Sequence, residues 1–116
     1  MKQAYTPHRV RHIENLREML ATSAQLYGEN VAFSQNEGGV WRSYTFAQYL
    51  RDVRSLCLAL DDELQKTCGK PLYGQKILVS GENAYAWVIA YMTAMTAAAT
   101  VVPLDKEMAA GDVQNI

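Results

Sequence analysis

The stretch Lys76-Ile77-Leu78-Val79-Ser80-Gly81-Glu82-Asn83, with the uncharged run 84–100 and Val101-Val102-Pro103-Leu104-Asp105-Lys106-Glu107-Met108 after it, decides the fold. Ile77, Leu78 and Val79 form an apolar strand that runs into a Gly-Glu-Asn turn, where Asn83 is the expected helix N-cap. The helix that follows carries Trp87, Val88, Tyr91, Met92 and Met95, and Ala90, Ala94, Ala97 and Ala98 would let it approach a sheet closely. Val101 and Val102 supply a second apolar strand, closed by Pro103. Two strands joined through a helix are the crossover unit of a parallel sheet, almost always right-handed. An unbroken apolar strand predicts a sheet covered on both faces. The fold class is therefore α/β.

Upstream, Ile13, Leu16, Met19, Leu20, Ala24 and Tyr27 recur at helical spacing, predicting an amphipathic helix over 12–27 with Gly28 at its C-terminal glycine position. Residues 1–11 read as an extended arm, since Pro7 disfavours helix at Thr6. Val31–Gln35 and Val40–Tyr44 are rich in β-branched and aromatic residues. They predict a β-hairpin with the four-residue loop Asn36-Glu37-Gly38-Gly39. The paired glycines do not form a phosphate loop, because neither a Gly-Lys-Ser/Thr sequence nor a helix follows. Thr45 with Gln48 has capping-box form. The long helix it opens places Phe46, Tyr49, Leu50, Val53, Cys57, Leu60 and Leu64 on one face. Arg51, Asp52, Arg54, Asp61, Asp62 and Glu63 fall mainly on the other, and Gly69 and Pro71 end it. Residues 105–116 begin another helix-like segment. The architecture expected is an N-terminal helix, a hairpin, a long helix and one strand-helix-strand unit.

Composition bounds the function. The chain has 116 residues and a net charge of -1, so nothing in its charge favours nucleic acid. The early basic residues Lys2, Arg9, Arg11 and Arg17, with His8 and His12, are interrupted by Glu14 and Glu18 and read as a solvated arm and first helix turn. Cys57 and Cys68 are two thiols without metal-ligand spacing, which suits a reducing, cytoplasmic setting. Residues 84–104 are uncharged and about as long as a bilayer crossing, but rich in Ala and Thr. They divide into a buried helix and a strand, so no membrane span is expected. The run Asp61-Asp62-Glu63 points around a helix rather than to one centre and is no metal site. A Ser-His-Asp triad lacks a positioned histidine. Ligands on open α/β sheets sit beyond the C-terminal strand ends, which gives Gly81-Glu82-Asn83 and Pro103-Leu104-Asp105 their interest. Capping by Asn83 and a loop role for Asp105 are the favoured readings of those residues. No residue is assigned a catalytic, cofactor-binding or metal-ligating role.

In order, Tyr27-Gly28, the hairpin, Tyr44-Thr45-Phe46, Ile77–Asn83, Trp87 and Val101–Asp105 resemble the N-terminal beginning of the AMP-binding, adenylate-forming ligases. Asn15-Leu16, Tyr27-Gly28 and Pro103-Leu104-Asp105-Lys106-Glu107 look most like bacterial long-chain acyl-CoA synthetases. The resemblance covers residues from about 12 to 116 and implies that they are an incomplete AMP-binding domain. It implies a two-step ligase in the full-length protein. A fatty acid or other carboxylate is adenylated with ATP and Mg2+, and the acyl group then passes to CoA. The family's Ser/Thr/Gly-rich loop ending in Lys, its Tyr-Gly-x-Thr-Glu segment, its ribose-binding Asp and its C-terminal Lys are not in this sequence. No bound cofactor and no adenylating activity are therefore expected of the fragment. Where the family often has glycine before the Val-Val-Pro strand, Ala97-Ala98-Ala99 stands, which suits negative φ. A contrasting expectation is an independent small α/β interaction module. Under either reading, exposed sheet edges favour self-association.

Overall fold

The computed structural model describes residues 7–116. The arm expected over 1–11 therefore lies partly outside the described residues, Lys2 and Thr6 included. Residues 7–15 carry no regular secondary structure, and helix α1 (Leu16–Tyr27) begins four residues later than the periodicity predicts. The reason is local: the Asn15 side chain accepts the Glu18 N–H at 2.8 Å, an N-cap that halts the helix there.

Strands β1 (Val31–Glu37) and β2 (Val40–Thr45) pair antiparallel, with Glu37 opposite Val40. The hairpin loop is thus two residues, not four. Gly38 and Gly39 take φ +62° and +91°, the doubly positive turn that matches strand twist and that glycine enters without steric cost. Asn36 Oδ1 accepts the Gly39 N–H at 2.8 Å, fixing the turn from its flank.

Helix α2 (Phe46–Cys68) starts at the expected capping box: Gln48 N–H donates to Thr45 Oγ1 at 3.1 Å and Thr45 N–H donates to Gln48 Oε1 at 2.8 Å. The two amides between them are also satisfied. Phe46 N–H reaches Asn30 O and Ala47 N–H reaches Gly28 O, both at 3.0 Å. Gly28 is therefore not the left-handed cap of α1. Its φ is -48°, and a Cβ there would lie 2.7 Å from Ala24 O. Close backbone approach, rather than positive φ, excludes a side chain. Gly69 does adopt φ +64° and closes α2 by its N–H to Gln65 O.

Strands β3 (Lys76–Val79) and β4 (Thr100–Pro103) pair in parallel, Lys76 opposite Thr100 and Val79 opposite Pro103, joined through helix α3 (Tyr85–Thr96). The crossover unit is present, but α3 is shorter than the uncharged run. After Thr96 the chain leaves the helix through Ala98, which has φ +55°. Ala98 N–H bonds Met95 O and Ala99 N–H bonds Ala94 O, the paired closure of a Schellman cap. The expectation of negative φ at these alanines is corrected at Ala98. A non-glycine residue there is strained by roughly 1 kcal/mol. The sheet is also not covered on both faces: Val79 is buried while Leu78 is 45% exposed. A short helix α4 (Ala110–Gln114) follows.

The core joins three helices. Leu20 of α1, Tyr49 and Val53 of α2, and Ile89 and Met92 of α3 are buried together, with Phe33 of β1 edge-on to Tyr49 at 5.0 Å. Ala94 and Thr93 are almost wholly buried on α3, so small side chains let the helices come close. The Thr93 hydroxyl is aligned on Val53 O at 3.4 Å. No described helix is long and apolar enough to cross a membrane.

Candidate functional site

Because β3 and β4 run in parallel, the loops after Val79 and Pro103 leave the same edge of the sheet. Leu104 N–H donates to Val79 O at 2.9 Å, carrying the pairing one step past the strands. Lys106 Nζ then meets Glu82 Oε1 at 2.6 Å, tying the two loops together. Asp105 turns its carboxylate back on its own loop, accepting the Glu107 N–H at 2.8 Å, while Met108 N–H donates to Asp105 O. A hollow of about 230 Å³ lies beside this edge, walled by Val79, Gly81, Glu82, Trp87 and Ala90. Trp87 stacks on Tyr91 with ring centroids 5.2 Å apart. Among the described residues, the lysine at this edge, Lys106, is already paired with a carboxylate.

Asn83 does not cap α3. The N-cap position is Ala84, which has no side chain to do so. The acceptor comes from the hairpin: Tyr85 N–H donates to Gln35 Oε1 at 2.7 Å. Gln35 Nε2 in turn donates to Glu37 Oε1 at 2.6 Å, and Arg42 Nε lies 2.9 Å from Glu37 Oε2. Tyr85 is held on both other sides. Its ring stacks on Tyr44 at 3.7 Å, and its hydroxyl donates to Asp52 Oδ2 at 2.8 Å. Burial raises the Tyr85 phenol above its usual range, and the hydrogen bond to Asp52, whose charge opposes a phenolate, adds to this. Asp52 is therefore not simply a solvated residue of the outer face of α2. A hollow of about 410 Å³ runs past this network, walled by Phe33, Gln35, Trp41, Asn83, Tyr85 and Val88. Spacing could not reveal Gln35, since its partner is 50 positions away.

The remaining sequence candidates disperse. His8 and His12 are exposed. Asp61 accepts the Leu72 N–H at 2.9 Å and pins the link from α2 to β3, and Asp62 pairs with Lys66 one turn on. Among the described residues no three His, Cys, Asp or Glu side chains converge to hold a metal ion. Cys57 is half-buried with Sγ 3.7 Å from Thr96 Oγ1, and Cys68 is exposed. Gly38-Gly39 turns a hairpin, and the first amide of α3 is taken by Gln35, so neither place presents a free backbone cradle for a phosphate.

No protein-family model matches the chain, and no curated protein matches it by sequence. Solved structures do match in fold. The crystal structure of IdnL1 superposes with a TM-score of 0.71 at 21% identity, over 89% of this chain and 20% of that one. NpsA of Klebsiella oxytoca, in complex with 3-hydroxyanthranilyl-AMSN, gives 0.73 at 13% identity, over 90% of this chain and 19% of its own. The inhibitor-bound N-terminal domain of FACL13 from Mycobacterium tuberculosis gives 0.67 at 20% identity, over 87% and 23%. The chain thus spans about a fifth to a quarter of the length of these three structures. At such identities the likeness establishes a shared α/β fold.

Proposed function

We propose that this chain is the N-terminal scaffold portion of an adenylate-forming ligase, of acyl-CoA synthetase type. The observation that carries the reading is the fold match over about nine tenths of the chain to a fraction of much longer proteins. One of these is seen with 3-hydroxyanthranilyl-AMSN and another is an N-terminal domain. The order of segments from Tyr27 to Asp105 supports it independently. In this reading the longer protein activates a fatty acid or related carboxylate with ATP and Mg2+ and transfers the acyl group to CoA. The present residues supply the helical layer and the first parallel strand pair against which the catalytic part packs. Two free thiols suit a cytoplasmic setting.

The reading has a genomic test and an enzymatic one. The reading frame of the natural gene is expected to continue past Ile116 into a Ser/Thr/Gly-rich loop ending in Lys. Its full product is expected to catalyse carboxylate-dependent ATP–pyrophosphate exchange, and the 116-residue chain alone none. Exchange by the short chain, or a full product that never forms an acyl-adenylate across a panel of fatty and aryl acids, refutes it.

A further inference from the structure

Helices α1, α2 and α3 do not fill the space between them. A cavity of about 150 Å³ remains, lined by Leu20, Ala21, Leu50, Val53 and Cys57, with Arg17, Arg54 and Thr96 completing its wall. Its volume is close to that of apolar cavities that take up benzene-sized molecules. It borders Thr96, the C-terminal end of α3, whereas the strand edge with Glu82 and Lys106 lies at that helix's start. It is therefore separate from the place where α/β ligands are expected.

Two features of this wall set the chemistry. Arg17 Nε donates to Thr96 O at 2.8 Å, which fixes the guanidinium at the cavity and neutralises the carbonyl end of α3. Neither Arg17 nor Arg54 has a carboxylate within ion-pair distance among the described residues. Two guanidiniums without acidic partners, beside a small apolar chamber, are complementary to a short chain with one negative end.

We propose that this cavity binds a small amphiphilic carboxylate of about four to six carbons, in keeping with a chamber that admits benzene-sized molecules. Its alkyl part lies among Leu20, Val53 and Cys57, and its carboxylate pairs with Arg17 and Arg54. Guanidinium and carboxylate match as planar, two-pronged partners. Each buried methylene raises affinity about fourfold, so affinity climbs with chain length until the chamber is full and then stops rising.

Cys57 supplies a built-in reporter. In a Cys68→Ser variant of the 116-residue chain, hexanoate is expected to slow alkylation of Cys57 and to shift NMR resonances of Leu20 and Val53. Hexanol should need about fivefold or more higher concentration for the same effect, and Arg54→Gln should weaken hexanoate by about the same factor while leaving hexanol unchanged, as charged hydrogen bonds at a half-open site predict. Arg54 is exposed, so that variant tests the contact rather than the fold. Equal binding of hexanoate and hexanol, an Arg54→Gln variant that binds hexanoate undiminished, or shifts that avoid Leu20 and Val53 would each overturn the assignment, as would no binding at all.

Discussion

Gln35 of the hairpin caps helix α3 from outside, its Oε1 accepting the Tyr85 N–H at 2.7 Å. A hairpin and a crossover helix that share no strand pairing are joined by this bond and by the Tyr44–Tyr85 stack beside it. Replacing Gln35 with Ala leaves the first amide of α3 without its acceptor. A loss of about 1 kcal/mol is expected, the usual size of an N-cap deletion. Gln35→Glu keeps an acceptor but sets two carboxylates together at Glu37, so it should be worse at pH 7 than at pH 4. Urea denaturation of the three proteins at both pH values checks this.

The left-handed alanine makes an opposite prediction. Ala98→Gly relieves a φ of +55° at the α3 cap. Relief of about 1 kcal/mol of strain exceeds the entropy that glycine adds to the unfolded chain, and net stabilisation of about 0.5 kcal/mol is expected. A lower denaturation midpoint for the variant would contradict the backbone geometry.

Tyr49 gives a pH dependence. Burial pushes its phenol up to about 12 from the ordinary 10. A raised folded value means the neutral form is favoured by folding. Its contribution is complete below pH 10 and is lost as pH rises from 10 through 12. Complete ionisation through that range costs at most about 3 kcal/mol. Tyr85 shifts in the same direction and steepens the fall. Tyr49→Phe should flatten the stability profile above pH 10, read from denaturation at pH 8, 10 and 11.

Self-association is the fourth expectation. Leu58 is 74% exposed on α2, Leu78 is 45% exposed on β3, and the β3–β4 pair has both outer edges unpaired among the described residues. We expect the chain to form dimers or larger species as concentration rises. Leu58→Glu should shift the equilibrium toward monomer. Light scattering that reports a monomer at every concentration tried would dismiss the idea.

What the sequence made legible was what neighbours along the chain decide. The capping box at Thr45 and Gln48, the left-handed Gly69 and the strand-helix-strand order all follow from residues a few positions apart. What it hid depends on distant partners. Gln35 looked like an ordinary strand residue until the fold brought Tyr85 to it. Asp52 shared a helix face with solvated charges, yet the stacked Tyr85 reaches it. Asn83 had the right chemistry for a cap, but the helix begins at Tyr85 and the N-cap position falls to Ala84. Leu78 predicted a covered face because its side chain is apolar, and apolarity alone does not say what covers it. At the strand edge the loop role of Asp105 was readable from type and position, while the Lys106–Glu82 tie was not.

The two ends of the crossover are fastened by different forces. At one end Gly74 N–H meets Ala98 O at 3.1 Å and Thr100 N–H meets Gln75 O at 2.7 Å, both backbone bonds. At the other, beyond the strand pairing, the loops meet through Lys106 and Glu82, whose side chains are 45% and 77% exposed. Backbone bonds are nearly indifferent to ionic strength, whereas an exposed ion pair weakens as salt shortens the Debye length from about 10 Å at 0.1 M to about 3 Å at 1 M. The unit therefore behaves as a spring clip with a fixed heel and an ion-tuned jaw. Added salt loosens the loops at the C-terminal strand ends while the heel keeps its protection from hydrogen exchange.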